Sequence, residues 1–340
     1  MKQAIALATT RGRGLFPGVM ACGVVAAAAT FLSEHYGAPV MLFALLLGMA
    51  MNFLSTEGAC APGIGFTARE VLRVGVALLG LRITLTQVAA LGWEPVAIVI
   101  ISVVVTITVS MVVAKMLGFQ SIFGLLTGGA TAICGASAAL ALAAALPSHP
   151  QKERATLFTV IGVSALSTLA MIVYPMGAQA IGIDATAAGV FLGGTIHDVA
   201  QVVGAGYSLG HETGDVATLV QLMRVAMLLP VIVFAAMLTR SRLRSRGEEA
   251  NTGERPPLLP WFAVGFALLV AINSTGWLPK VVQTAGSELS RWCLVAAIAG
   301  IGMKTQLKEL VTVGFKPVAL MLGETVFLAL LVLGMMRLAA

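Results

Sequence analysis

The sequence predicts an all-α membrane protein of about eleven hydrophobic segments, organised as a single polytopic domain. Three observations predict it. The chain of 340 residues is 58% hydrophobic and only 11% charged, whereas an average soluble domain is about 25% charged. Apolar runs of bilayer-spanning length, roughly 17–25 residues, recur from end to end. One stretch of the first half also repeats in the second. Mean hydropathy is +0.96, and no polar stretch is long enough to form a soluble domain.

Nine runs read as uninterrupted helices: 14–33, 38–55, 64–82, 93–116, 152–176, 215–238, 259–277, 286–303 and 317–338. Two more, 120–146 and 187–208, are equally apolar but broken by glycine. The first half of the chain is then 14–176 and the second 187–340. The opening MKQAIALATTRGRGLF offers no small-residue cleavage site ahead of the first run, so no removable signal peptide is expected. The longest polar stretch, TRSRLRSRGEEANTGERPP at 239–257, carries Arg240, Arg242, Arg244, Arg246 and Arg255. The positive-inside rule makes it a cytoplasmic loop. Lys2, Arg11 and Arg13 place the N-terminus on the same side, as Lys304, Lys308 and Lys316 do for their connection. An odd number of spans then leaves the C-terminus in the periplasm. The net charge of +6 is accounted for by these short loops and is not a nucleic-acid footprint. Cys22, Cys60, Cys134 and Cys293 lack metal-ligand spacing and read as reduced, structural thiols.

The repeat is gapless. RVGVALLGLRITLTQVAALGWEPVA at 73–97 aligns with VAAIAGIGMKTQLKELVTVGFKPVA at 295–319. Gly80 matches Gly302, Leu85 matches Leu307, and GWEP at 92–95 matches GFKP at 314–317. The first copy is poor in positive charge and the second rich, so the two connections are expected on opposite sides of the membrane. Inverted repeats of this kind characterise secondary transporters, whose sites lie near the midplane between the halves.

A second correspondence concerns the broken runs. GLLTGGATAICGASA at 124–138 resembles GVFLGGTIHDVAQVV at 189–203, each with a Gly-Gly pair followed by small and polar residues. Both are read as re-entrant hairpins in preference to crossing helices, because this keeps Lys152 and Arg154 cytoplasmic. Interrupted helix frees backbone polar groups, which survive at membrane depth only inside protein or beside a watery cavity. Half-helices meeting there would aim N-terminal dipole ends at an anion. The expected substrate-binding residues are Gly128, Gly129, Thr131, Cys134 and Ser137 from one segment, and Gly193, Gly194, Thr195, His197 and Gln201 from the other. The competing reading is close packing by small residues. It is accepted for Ala130, Ala136 and Ala138.

An ionisable residue within a membrane is costly and is a functional candidate by default. His197 and Asp198 are candidates for coupling, His197 as a proton shuttle and Asp198 as a protonatable carboxylate. The structural alternative makes His197 a neutral donor and Asp198 the cap of the half-helix that follows. Arg224 lies near the middle of its run, too deep to reach water. It either pairs with Asp198 or faces a cavity and draws in an anion. Glu324 and the pair Asn273-Ser274 are weaker candidates.

At GGATAICGASAALA (128–141), GGTIHDVAQVVGAGYS (193–208), TLVQLMRVAMLLPV (218–231) and the paired GLRITL and GIGMKTQL, the chain resembles the YeiH-type sulfate-exporter family. The resemblance covers essentially the whole chain. It implies an inner-membrane protein of about eleven apolar segments, related in fold to bile-acid symporters and cation/proton antiporters. Nothing in the sequence reads out sulfate itself.

The expected function is a secondary-active transporter that exports a small anion, sulfate or a related inorganic or organic anion, by alternating access with proton or cation coupling. No G-x-x-x-x-G-K-[ST] motif occurs, which excludes ATP drive in this chain. A passive anion channel is the alternative, and would want a continuous polar stripe. A membrane-embedded enzyme using His197 and Asp198 is a third reading, but His35, His149 and His211 sit in loops and form no metal cluster. No enzymatic activity, cofactor or metal is expected. The expected partners are a small anion, membrane lipid and a coupling ion (proton or sodium), with a homo-oligomer left open and no nucleic acid.

Overall fold

Helix α7, Glu94–Met116, reads EPVAIVIISVVVTITVSMVVAKM, a composition that would favour strand in water. It is helical because a bilayer has no water to take up backbone N–H and C=O groups, so each segment must satisfy its own. The same requirement shapes the rest of the chain. The computed structural model describes residues 2–36, 39–56, 58–146, 150–244, 261–305 and 314–339, and among these it contains helices and no strand. His149, Arg246, Arg255, Lys308 and most of the 239–257 loop lie outside the described residues, as does part of the second repeat copy.

In chain order the helices before α7 are α1 (Lys2–Tyr36), α2 (Val40–Ala50), α3 (Phe53–Thr56), α4 (Ala61–Phe66), α5 (Leu72–Leu79) and α6 (Leu85–Ala90). After α7 come α8 (Ser121–Ala132), α9 (Ala136–Ala145), α10 (Pro150–Ile181), α11 (Ala185–Thr195), α12 (Val199–Leu209) and α13 (His211–Ala226). The last are α14 (Leu228–Arg244), α15 (Trp261–Ser274), α16 (Lys280–Lys304) and α17 (Phe315–Ala339). Among the described residues, five stretches are long and apolar enough to cross a membrane: Gly14–Tyr36, Glu94–Met116, Arg154–Ile181, His211–Ala235 and Phe315–Leu338. Shorter apolar helices include α2, α8, α11, α12 and α15.

Three expected runs are revised. The 38–55 run divides between α2 and α3, and 64–82 begins earlier, at Ala61, with a π-helical turn at Thr67–Val71 joining α4 to α5. The 215–238 run is interrupted at Met227. Pro230 has no N–H to return to the carbonyl of Ala226, so the α-helical ladder cannot run through.

The chain divides into two compact units. One comprises residues 1–90, 203–211 and 261–306. Its helices approach through glycine. A Cβ on Gly18 would fall 2.1 Å from the Cys60 carbonyl oxygen, and one on Gly48 2.3 Å from that of Ala299. Ser290 Oγ donates to the Gly75 carbonyl at 2.7 Å and Asn273 Nδ2 to that of Ile83 at 3.1 Å, tying α16 to α5 and α15 to the turn after it.

The other unit comprises 91–202, 212–260 and 307–340 and holds the first broken segment and the second as far as Val202. Its core includes Val103, Leu125, Ile133, Leu142, Val163 and Met321. α7 and α17 both begin just past a glycine with positive φ, Gly92 (73°) and Gly314 (92°), at matching positions of the repeat.

Candidate functional site

The interruptions do not fall at the glycine pairs. Gly128 and Gly129 lie inside α8, and Gly193 and Gly194 inside α11. The breaks come later, at Ile133–Gly135 and Ile196–Asp198. The glycine pairs serve packing, contrary to the expectation that they mark the breaks. A Cβ on Gly128 would fall 2.5 Å from Ser110 Cβ, on Gly129 2.4 Å from Leu142 Cδ1, and on Gly193 2.4 Å from the Ala217 carbonyl oxygen. The pairs let α7, α9 and α13 come close, which is what small residues do at helix contacts in lipid.

Both breaks reverse the chain. Gly129 and Leu142 would stand about 20 Å apart along an uninterrupted helix, yet they are in contact, so α9 folds back on α8. Gly189 and Gly193 of α11 lie beside Thr213–Val216 and Ala217–Val220 of α13, so these two helices run the same way. Thr213 Oγ1 donates to the Ala185 carbonyl at 3.0 Å, and Thr186 Oγ1 to Glu212 Oε1 at 2.9 Å. By residue 212 the chain has returned to the level at which α11 began.

The two breaks meet. Gly135 has φ +62° and ψ −128°, a conformation that glycine reaches freely and that costs an L side chain roughly 1–3 kcal/mol. A Cβ there would sit 3.5 Å from the His197 carbonyl oxygen and 3.7 Å from Asp198 Cβ. α13 fastens this junction with two side chains one turn apart. Arg224 is fully buried. Its Nε donates to the Ala132 carbonyl (2.9 Å), Nη2 to Thr131 (2.8 Å), and Nη1 to Gly193 (3.0 Å) and Ile196 (2.7 Å). Gln221 Oε1 accepts from the same Nη1 at 3.2 Å. Gln221 Nε2 in turn donates to the carbonyls of Ile133 (3.3 Å) and His197 (3.4 Å). Six carbonyls freed at the ends of α8 and α11 therefore find donors, as buried backbone must.

This corrects two expectations. Arg224 pairs with carbonyls and, among the described residues, not with Asp198. It also faces no open space, being held at the negative C-terminal ends of two half-helices. Its Nε proton is taken and Nη1 has three acceptors for two protons, whereas Nη2 has one acceptor for two, so one N–H of the guanidinium is left over.

The other expected site residues separate into groups. Thr131 belongs to the buried junction, its hydroxyl donating to Glu324 Oε2 at 3.1 Å. Cys134 is buried within the first break, and all four cysteines are free thiols. Thr195 donates back into its own helix, to Phe191 O at 2.6 Å, so its hydroxyl is already committed. Ser137 is exposed and lies outside the buried cluster. His197 is fully buried, with Nε2 2.9 Å from Thr325 Oγ1. The Thr325 hydroxyl also lies 2.8 Å from the Met321 carbonyl oxygen, to which it can donate. Nδ1 of His197 makes no hydrogen bond of good geometry, and neither does Gln201 Oε1; Gln201 Nε2 lies 3.5 Å from Thr168 Oγ1. Asp198 Oδ1 accepts from Ala200 N at 2.9 Å, which makes it the cap of α12, while its own N–H reaches Ser167 Oγ at 3.1 Å.

One site residue escaped sequence reasoning and another was ranked low. Gln221 stands one turn before Arg224 in TLVQLMR, and its spacing could have suggested that both serve the same point. Glu324, ranked low, is 5% exposed and accepts from Ser110 Oγ, from Thr127 Oγ1 at 2.7 Å and from Thr131.

Comparison with known proteins bears on this arrangement. The family model described as "Conserved hypothetical protein 698" matches residues 17–321. The chain belongs to the UPF0324 membrane-protein family. It is similar to a UPF0324 membrane protein of Chlorobaculum tepidum, 56% identical over 320 residues, covering 94% of this chain and 88% of that one. The UPF0324 membrane protein TauZ of Paracoccus denitrificans is 54% identical over 319 residues, with 93% of each covered. A relative in Rhizobium meliloti is 49% identical over 317 residues, covering 93% of this chain and 91% of that one. With its apolar helices, this makes the chain a multi-pass membrane protein.

Proposed function

We propose that the chain is a secondary-active transporter that exports a small anion, sulfate or a related inorganic or organic anion, across the inner membrane by alternating access. One observation carries the reading. Two helix interruptions meet inside a membrane protein, with their carbonyl ends neutralised by Arg224 and Gln221. The N-cap of α9 is Gly135, which has no side chain to cap the helix. The first N–H groups of α9 are donor capacity of the kind that suits an anion. Gln201 Oε1, within α12, makes no hydrogen bond among the described residues and is left for a donor group on the substrate.

The arrangement also supports an inverted repeat. One long helix, α10, separates the two reversals, so hairpins built from α8–α9 and α11–α12 would enter from opposite faces and touch at their tips. The matching positive-φ glycines before α7 and α17 agree with it. A site between such elements is the usual plan of secondary transporters.

The test is flux through the purified full-length protein in liposomes preloaded with radiolabelled sulfate, then with a panel of small organic anions. Saturable efflux that accelerates under a proton gradient is the expected result. Efflux linear in concentration and indifferent to the gradient would mean a passive channel. No movement of any anion in the panel would sink the reading.

A further inference from the structure

Glu324 lies ten residues into α17, in a helix long and apolar enough to span a membrane, and no lysine, arginine or histidine side chain is hydrogen-bonded to it among the described residues. Its partners are three hydroxyls from two other helices. Ser110 of α7 and Thr127 of α8 both contact Oε1, and Thr131 of α8 contacts Oε2. A buried carboxylate without a cation partner is expensive, so this cluster needs a reason.

Counting hydroxyl protons supplies one. Ser110 Oγ also lies 2.7 Å from the Gly124 carbonyl oxygen, and Thr127 Oγ1 3.2 Å from that of Phe123; both oxygens can only accept. Each hydroxyl has one proton to give. With Glu324 ionised, Ser110 and Thr127 turn their protons to the carboxylate. With Glu324 protonated, its own O–H donates to Ser110, and Ser110 turns to the Gly124 carbonyl. Both states are hydrogen-bonded, and they differ by hydroxyl rotations alone. The cluster is built to hold or give up one proton.

It is also wired to both breaks. Thr131, which bonds Oε2, is the residue whose carbonyl Arg224 holds at the end of α8. Thr325, the residue after Glu324, is hydrogen-bonded to His197 at the second break. Of the other elements against α17, α10 brings Tyr174 to the Thr325 carbonyl at 3.4 Å, and α11 meets it through Gly194 against Val332. Asp198, half-buried, is committed to the α12 cap.

We propose that Glu324, held by Ser110, Thr127 and Thr131, is the proton-binding site of the transport cycle, taking one proton from water and returning it on each turn. This rests on the transporter reading and moves the coupling role from Asp198 and His197 to α17.

Two measurements on the purified full-length protein test it. Infrared difference spectra across a pH titration should show a protonated-carboxyl band that Glu324→Gln abolishes. Thr127→Val removes one donor to the carboxylate and should tighten proton binding about tenfold, which keeps the test alive if Glu324→Gln fails to fold. In liposomes loaded with sulfate, Glu324→Gln should retain exchange of internal for external sulfate while losing acceleration by a proton gradient. A titrating band with no sulfate movement leaves the proton site standing and counts against the transport reading alone. Absence of the band in the wild-type protein overturns the proposal, as does gradient-driven sulfate flux that survives Glu324→Gln.

Discussion

Replacing Arg224 by alanine would strand four main-chain carbonyls, those of Thr131, Ala132, Gly193 and Ile196. A buried polar group left without a partner costs about 1–3 kcal/mol. Water can enter the space vacated by the side chain and satisfy part of this, so the lower figure applies. Four carbonyls then cost about 4 kcal/mol, against a typical total stability of about 5–15 kcal/mol. Arg224→Lys keeps the charge but offers three donors on a point-like head without the planar fork. It should recover about half of the loss. The assay is thermal unfolding in detergent followed with a thiol-reactive dye, which reads Cys22 and Cys134 because both are buried in the folded chain. The expected order of unfolding temperature is wild type, then Arg224→Lys, then Arg224→Ala well below. Should Arg224→Ala melt with the wild type while losing anion binding, Arg224 would be a substrate ligand and the fastening argument would be wrong.

Three further outcomes follow from the same geometry. Gly135→Ala should lower stability by about 1–3 kcal/mol, because φ +62° with ψ −128° is unfavourable for a side chain; an unchanged melt would mean the turn can relax. Gly193→Ala should destabilise far more than Gly194→Ala, since a Cβ would meet the Ala217 carbonyl oxygen at 2.4 Å in the first case and Val332 Cγ1 at 3.3 Å in the second. Equal melting temperatures for the two variants would contradict this. Asp198→Asn should keep the α12 cap and gradient-driven flux, while Asp198→Ala loses about 1 kcal/mol. Loss of gradient dependence in Asp198→Asn, with folding intact, would return the coupling role to Asp198.

Membrane residence, an all-helical chain and two special segments were legible in the sequence because each depends on local composition. A run of apolar residues must be helical in lipid wherever it lies, and α7 is helical despite its valines and isoleucines for that reason. Paired glycines followed by polar residues pointed to the right neighbourhoods, within a few residues of the observed breaks. The roles inside those neighbourhoods were not legible. Whether Gly193 lines a ligand or admits a neighbour depends on Ala217, 24 residues away in the chain. Arg224 reads in one dimension as a lone charge awaiting an anion. Its four carbonyls come from two segments about 30 and 90 residues away, and no local pattern records them. Glu324 is the sharpest case, since one carboxylate in an apolar helix is ambiguous until Ser110, Thr127 and Thr131 surround it. The sequence by itself determined the solvent the chain folds in and the segments that depart from regular helix. Only the tertiary structure decided which polar group satisfies which, because hydrogen-bond partners in a membrane interior are supplied by neighbouring helices and not by water.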